Sequence, residues 1–135
     1  MTKEEKIELR REVCTRMLYG LKALATHSNQ VVEILRGGCY DGEKYYFIPS
    51  ILGLAFEIED FKIYLRPMSS MTEEEEEELE CKFPHLSLNG DDIYGYLARG
   101  EIGDFLEFIY SHHIDLNGLI PMGLALEVPE GMYKF

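Results

Sequence analysis

The sequence predicts an α+β fold in a single globular domain over residues 1–135, with an N-terminal helix, an antiparallel meander of four to five strands and a helical C-terminal half. Three observations predict it. Apolar residues recur at helical spacing up to residue 17, runs rich in β-branched and aromatic residues follow up to residue 65, and a second helix start follows at Thr72. A length of 135 residues with 46% hydrophobic residues is typical of one folded domain. We divide it into residues 1–67, a helix plus a sheet, and residues 68–135, an acidic helical half with an extended tail.

The first helix is predicted from Lys3 to Arg16. Thr2 and Glu5 have the spacing of a capping box, in which the hydroxyl and the carboxylate each accept a hydrogen bond from a backbone amide at the helix start. Glu12 stands four residues before Arg16, which is the spacing of a helical ion pair. Residues 18–26 lose the helical period, so the helix is expected to end near Arg16.

Four runs in the first half have the composition of β-strands and are separated by turn residues. They are Val31–Arg36, Lys44–Ile48, Ile51–Ile58 and Lys62–Leu65. THSNQ before the first run and GGCYDGE after it are typical of turns. Because sequential strands usually pair as neighbours, an antiparallel meander is expected. Either the first helix covers one face of this sheet, or the sheet closes into a small SH3-like barrel.

The second half begins with another capping-box pair, Thr72 and Glu75, so a helix is expected to start after Thr72. Residues 83–92 have the composition of a loop, and Asp104–His113 carries an apolar face typical of a helix. The glycines and the proline between residues 114 and 126 favour short turns and a brief strand. PEGMYKF, the last seven residues, is predicted to be an extended tail, and its docking on the body is left open.

The net charge of −12 lies entirely in the second half of the chain. Residues 1–67 contain 10 acidic and 10 basic residues, whereas residues 68–135 contain 15 acidic residues against Lys82, Arg99 and Lys134. Such a surface repels nucleic acid and anionic lipid, and it attracts basic protein surfaces or cations. We therefore expect no direct nucleic-acid binding, because phosphate contacts require clustered lysine and arginine.

The glutamate run Glu73–Glu78, followed by Glu80, has three interpretations. The first glutamates favour a helix start through the helix dipole, whereas like charges four residues apart repel each other. The run is therefore a solvated helix start, a partner-facing acidic surface or a metal site. The residues predicted to bind a partner are Glu73, Glu74, Glu76, Glu77, Glu78 and Glu80.

His112, His113 and Asp115 are a cluster of metal-ligand residue types and define the alternative metal site. His85, Asp91 and Asp92 are further candidate ligands if the fold brings them near. Neighbouring helical positions point about 100° apart, so the two histidines are poorly placed to share one ion. His113 and Asp115 could share one only if the helix ended between them. A histidine at a helix C-terminus also interacts favourably with the helix dipole.

The sequence contains no nucleophile elbow, phosphate-binding loop, HExxH or dinucleotide motif. We therefore predict no catalytic residue and no cofactor. Cys14, Cys39 and Cys81 are widely spaced without a CxxC pair, which favours reduced, mostly buried thiols.

Four stretches of the chain carry a resemblance to known proteins: EVCTRMLYGLK (residues 12–22), IEDFKIYLRPMSSMTEEE (58–75), FIYSHHIDLNGLI (108–120) and GLALEVPEGMYK (123–134). They resemble the forms LCARLPYGVK, KPYLRPMSSMTEEE, HHFDYRGLI and GLALEAPEGMY. These forms occur in uncharacterised proteins of prophages and mobile elements of gut Bacteroidales. Met17-Leu18 and Ile63 depart from this pattern, because the group has Leu-Pro and proline there. The resemblance implies a mobile-element context and no reaction, and it implies that MSSMTEEE marks a strand exit and a helix start.

These observations predict a phage or mobile-element accessory protein that is non-catalytic and binds another protein. In the sharper form, the acidic half imitates the charge of nucleic acid and occupies a basic groove on a host defence or DNA-processing protein, that is, a basic nucleic-acid-binding protein. The alternatives are a metal-dependent enzyme using His112, His113 and Asp115, and a structural protein that forms a homo-oligomer. No apolar run reaches the roughly 20 residues needed to cross a bilayer, and the N-terminus is charged, so we expect a cytoplasmic protein that does not enter the membrane.

Overall fold

The computed structural model describes residues 1–41, 44–51, 54–82 and 99–133. Within these ranges the chain has three α-helices: α1 (Lys3–Arg16), α2 (Glu73–Lys82) and α3 (Arg99–Ser111). The strands are β1 (Lys22–Ala25), β2 (Gln30–Asp41), β3 (Lys44–Pro49), β4 (Phe61–Leu65) and β5 (Ala125–Glu127). Short 3-10 helices follow α1 at Met17–Tyr19 and precede α2 at Met68–Ser70. The predicted mixed α+β class is confirmed.

The sheet in the described part of the chain has the strand order β3-β2-β1-β4-β5. β1, β2 and β3 follow one another as an antiparallel meander, of which the sequence predicted the β2–β3 pair, and β4 pairs antiparallel with β1 on its other side. β5 pairs parallel with β4, so the prediction of an antiparallel sheet is wrong at this edge. A parallel pair requires a long crossover, and the connection between β4 and β5 contains α2 and α3. The order places β3 and β5 at opposite edges of an open sheet, so it gives no support to the closed barrel.

The α1 prediction is confirmed at both ends, and its capping box forms as expected between Thr2 and Glu5. One face of α1 packs Leu9 and Val13 onto the sheet, against a core that includes Ile34, Phe47 and Ile63. A second cluster joins α2 to α3; its buried members are Met71, Leu79, Phe105, Phe108, Ile109 and Ile114. The helical second half is therefore supported in part, by α2 and α3, while the predicted loop at residues 83–92 lies outside the described residues.

Two strand predictions are wrong. Residues 54–58 form no strand, and their described link to the sheet is the bridge between Phe56 and Phe47, with two backbone hydrogen bonds of 2.7 Å. Their alternation reflects burial of Ile58 in the core before a turn in which the Asp60 carboxylate accepts the Glu57 amide at 2.9 Å. The central strand β1 was not predicted, because its four residues, KALA, lack the branched residues that mark strands.

The predicted turn GGCYDGE is also corrected, because its first five residues continue β2 as far as Asp41. The pairing of β2 with β3 shifts register twice between Ile34 and Cys39, as at a β-bulge. A Cβ atom at Gly37 would lie 2.7 Å from the Phe47 ring, so glycine is required here for close packing. Turn composition and bulge composition are alike, which explains the error.

The C-terminal half ends in turns and a brief strand, as predicted for residues 114–126. The last described residues do not form a free extended tail, because the Met132 amide bonds to the Pro129 carbonyl and Gly131 has a φ of 79°. The tail docks on the body, as shown below. Among the described residues, no helix combines the length and the apolar character needed to cross a bilayer.

Candidate functional site

The first turn of α2 is stabilised by a local pair of residues, Thr72 and Glu75. Glu75 donates its backbone N–H to the Thr72 hydroxyl at 3.2 Å, and its carboxylate accepts the Thr72 amide at 3.0 Å. The predicted capping box is confirmed. The stretch MSSMTEEE does connect the end of β4 to the first turn of α2, as the strand-exit interpretation expected.

Arg66, just after β4, clamps this helix start. Its two terminal nitrogens donate to the two Glu75 oxygens at 2.9 and 2.6 Å, and one of them also donates to the Ser70 carbonyl at 3.1 Å. Both side chains are largely buried. The Arg66 guanidinium holds the pKa of the Glu75 carboxyl at about 2, against an ordinary value of 4.5. Glu75 is therefore a structural residue within the run.

The six glutamates predicted to face a partner are all exposed. In the described residues, Glu78 pairs with Lys82 at 2.8 Å, whereas the other five form no ion pair. Leu79 is the buried apolar side chain of α2. The helix therefore presents most of its surface, and most of its charge, to solvent.

An open groove of about 890 Å³ lies between α2, the Arg66–Thr72 connection and the C-terminal segment. Its acidic lining residues beside Glu75 are Glu74, Glu78, Glu127 and Glu130. A smaller groove of about 530 Å³ between α2 and α3 shares Glu78 and His112 with it. The sequence analysis did not predict Glu127 and Glu130 as part of this site, because no local pattern indicates that they lie beside a helix about 50 residues earlier in the chain.

His112 lies where the two grooves meet. Its Nδ1 is 2.9 Å from the Phe108 carbonyl, and because a carbonyl only accepts, this nitrogen carries a proton. The ring stacks on Phe108 with centroids 4.1 Å apart. Nε2 is 3.7 Å from a Glu75 oxygen. His112 therefore packs beside the Arg66–Glu75 pair.

His113 points into the body instead. It is fully buried, its Nε2 donates to the Tyr19 carbonyl at 2.8 Å, and its ring stacks on Tyr133 at 4.1 Å. Burial lowers the pKa of His113 to about 4, because a charged imidazole would lose its hydration. Its φ of 54° places it in the left-handed region.

This conformation ends α3. The His113 amide bonds to the Tyr110 carbonyl and the Ile114 amide to the Ile109 carbonyl, at 3.1 and 3.0 Å. That pair of bonds is the Schellman motif, in which glycine usually occupies the left-handed position. A histidine held there indicates that its side-chain contacts outweigh the backbone strain.

Asp115 caps the following turn. Its two oxygens accept the amides of Leu119 and Ile120 at 2.8 and 2.9 Å. The helix does end before His113, yet His112, His113 and Asp115 each bond a different part of the fold. No group of three potential ligands is arranged to hold an ion in the described ranges. Asp91, Asp92 and His85, the further ligands considered for a metal site, lie outside those ranges.

Tyr133 fastens the C-terminal segment to the sheet. Its hydroxyl accepts the Lys22 amide at 2.9 Å and donates to the Tyr64 carbonyl at 2.9 Å. Lys22 Nζ donates to the Met132 carbonyl at 3.0 Å, and the Val128 amide to the Leu65 carbonyl at 2.9 Å. The tail therefore forms a fixed wall of the larger groove. Burial raises the pKa of the Tyr133 hydroxyl well above its ordinary value.

A buried ion pair joins Glu12 and Arg16 of α1, which are 3% and 0% exposed. Arg16 Nη2 donates to Glu12 at 2.7 Å and to the Ile114 carbonyl at 2.8 Å, and Asn117 donates to the other Glu12 oxygen. The spacing of four residues predicted the pair. It gave no sign of burial, which comes from contacts about 100 residues away.

The prediction of mostly buried thiols is wrong for the two cysteines whose side chains are described. Cys81 is exposed, and Cys14 is half-buried with its Sγ 3.4 Å from the Tyr45 hydroxyl. The side chain of Cys39 lies outside the described residues.

Comparisons of the chain with protein-family models, with curated proteins and with solved structures gave no match. The resemblance to mobile-element proteins therefore stays a prediction. The four stretches on which it rests do meet in space. Arg16 binds the Ile114 carbonyl, and Tyr133 binds the backbone of Tyr64 and Lys22. The four stretches therefore include residues whose hydrogen bonds join α1 to the turn after α3, and the C-terminal segment to β1 and β4.

Proposed function

We propose that the chain is a cytoplasmic accessory protein of a phage or mobile element, and that it acts without catalysis by binding a basic protein. The observation that carries the proposal is the exposure of six carboxylates on α2. Their exposure leaves them available to a partner, while the fold itself uses Glu75 through Arg66.

The density of this charge supports imitation of nucleic acid. Residues 73–80 span about 12 Å of helix axis at roughly 1.5 Å per residue, so their exposed carboxylates give one charge for about every 2 Å. Duplex DNA carries one charge for about every 1.7 Å of its axis. A protein that binds duplex DNA would therefore meet a similar density of negative charge along the axis of α2.

Capture from host lysate tests the proposal. Tagged protein is used at low and near-molar salt, with a variant in which the six exposed α2 glutamates become glutamine. We expect a nucleic-acid-binding protein at low salt that is lost at high salt and lost with the variant, because steering between exposed charges is screened by salt. Duplex DNA added to the bound complex should release the partner.

A control variant carries Glu4→Gln, Glu59→Gln and Glu107→Gln, all exposed and outside α2. It should retain the partner, because it leaves the α2 charge intact. Binding that is insensitive to salt, or unchanged by the six α2 substitutions, would contradict the proposal.

Assembly into a homo-oligomer has one observation in its favour. Val31 and Leu35 on β2 are 52% and 55% exposed, and their spacing puts them on the same side of the strand. Exposed apolar residues on one sheet face are a common feature of subunit contacts. A monomeric mass by light scattering at high concentration would contradict this second candidate.

A further inference from the structure

α2 divides its exposed carboxylates between two directions. Glu74 and Glu78 are four residues apart, lie on one side of the helix and line the larger groove. Glu73, Glu76, Glu77 and Glu80 do not line it. The proposed binding surface therefore has a concave part and a convex part, and the two parts can be tested separately.

The concave part has carboxylates on two walls. Glu127 and Glu130, both exposed, stand on the C-terminal segment across the groove from α2. A cleft lined by charges of one sign concentrates the electric field, which strengthens attraction of a cation relative to a convex surface. A cation in this groove would be attracted by four carboxylates, whereas the convex face offers it charges on one helix only.

Both walls are held in place before any partner arrives. Arg66 fixes the first turn of α2 through Glu75, and Tyr133 fixes the C-terminal segment through the backbone of Lys22 and Tyr64. Preformed walls reduce the entropy lost when a ligand binds. The convex face has no second wall.

The groove also offers apolar contacts. Pro67, Val128 and Pro129 are part of its lining, beside the mutually neutralised Arg66–Glu75 pair. Lysine and arginine side chains have an aliphatic stem and a cationic end, so they match a groove with apolar walls and acidic rims. A volume of about 890 Å³ is sufficient for several such side chains.

The chain's own segment between α2 and α3 is a poor electrostatic match for this groove. Residues 83–98 contain Asp91 and Asp92 and no lysine or arginine. Their charge has the same sign as that of the rims, so charge complementarity favours a separate, basic occupant.

We propose that this groove receives an extended, arginine- or lysine-bearing segment of the protein partner, and that the convex face of α2 contributes only long-range attraction. This inference rests on the proposed function and assigns its contact residues. Glu74, Glu78, Glu127 and Glu130 then contact the partner, and Glu73, Glu76, Glu77 and Glu80 do not.

Two variants with the same change of net charge test the assignment. The groove variant carries Glu74→Gln, Glu78→Gln, Glu127→Gln and Glu130→Gln; the convex variant carries Glu73→Gln, Glu76→Gln, Glu77→Gln and Glu80→Gln. All eight positions are exposed, so both variants are expected to fold, which circular dichroism and thermal unfolding verify. The probe is a labelled peptide of alternating arginine and glycine, and its binding is followed by fluorescence anisotropy across a salt series.

We expect the groove variant to weaken peptide binding by about tenfold or more and the convex variant by less than about threefold at moderate salt. A peptide with citrulline in place of arginine keeps the shape without the charge, and it should not bind. Equal losses in the two variants would overturn the groove assignment and leave the proposed function standing. Absence of salt-dependent binding by the unaltered protein would overturn both. Weak peptide binding together with a mass above the monomer in light scattering would also overturn both, because a second copy of the chain would then occupy the groove.

Discussion

Arg66 and Glu75 form a two-pronged ion pair, with nitrogen–oxygen distances of 2.9 and 2.6 Å, that joins the exit of β4 to the first turn of α2. The backbone of Arg66 is engaged as well, because its amide bonds to the His113 carbonyl and its carbonyl accepts the Asp115 amide, both at 2.8 Å. One residue thus connects the sheet, α2 and the turn after α3. The acidic surface is therefore held rigidly by a carboxylate that belongs to the same glutamate run.

Glu75→Gln is expected to lower the free energy of unfolding by about 2 kcal/mol, because a largely buried arginine loses its charged partner. Glu74→Gln is the matched control one residue away. It is exposed, and it should change the free energy of unfolding by less than about 0.5 kcal/mol. Urea unfolding followed by circular dichroism measures both. Equal effects of the two substitutions on the free energy of unfolding would show that Glu75 does not stabilise the buried charge of Arg66.

The stability of the fold should fall with acid in two successive pH windows, which overlap between pH 4.5 and 4. The folded pKa of His113 is about 4 against an ordinary 6.5, so as pH falls from 6.5 towards 4 the unfolded chain takes up this proton first and stability declines. The folded pKa of Glu75 is about 2 against 4.5, so its contribution is complete above 4.5 and is lost as pH falls towards 2.

Variants assign each window. His113→Asn removes the titrating group with a residue that tolerates the left-handed conformation, and it should flatten the decline between pH 6.5 and 4. Glu75→Gln should flatten the decline below pH 4.5 and leave the upper window intact. Free energies of unfolding from urea titrations at several pH values provide the measurement. A His113→Asn curve parallel to that of the unaltered protein would refute the assignment of the upper window.

Short-range signals predicted the helix starts correctly. Each capping box needs only two residues three apart, and the energy it supplies is independent of the rest of the fold. Thr2 with Glu5, and Thr72 with Glu75, therefore marked α1 and α2. The exposure of the other glutamates followed from the same local reasoning, since a helix with one buried leucine turns most of its surface to water.

Contacts between distant residues determined what the sequence could not predict. β1 is a strand because β2 and β4 pair with it on both sides, which compensates for the weak strand propensity of KALA. The groove needs a tail wall whose anchor, Tyr133, bonds to Lys22 over 111 positions of the chain. The metal interpretation of His113 and Asp115 likewise depended on side-chain directions that only the tertiary bonds fix.

Tyr133→Phe should release the C-terminal segment with little change in shape. The Tyr133 hydroxyl hydrogen-bonds to the Lys22 amide and the Tyr64 carbonyl. These two groups lie next to Ala23 and Ile63, where the pairing of β1 with β4 ends. Leaving these two groups unsatisfied is expected to cost about 1 to 3 kcal/mol of unfolding free energy. Hydrogen exchange of the Lys22 amide should accelerate more than that of neighbouring β1 amides.

The matched control for the segment is Tyr19→Phe, since Tyr19 is 38% exposed and its contact with His113 is made by the backbone carbonyl. It should leave both stability and Lys22 exchange unchanged. If Tyr133→Phe also leaves Lys22 exchange unchanged, the tail is not anchored through its hydroxyl, and the second wall of the groove is not preformed.

His113 offers a comparison in which glycine should be the more stable replacement. His113→Gly and His113→Ala both remove the bond to Tyr19 and the stack on Tyr133, but only glycine adopts a φ of 54° without strain. We expect the glycine variant to be more stable than the alanine variant by about 1 kcal/mol. At Glu107, exposed and in the interior of α3, the order should reverse, with alanine favoured by about 1 kcal/mol. Thermal unfolding of the four variants measures both differences, and the same order at both positions would mean that α3 does not end in a left-handed histidine.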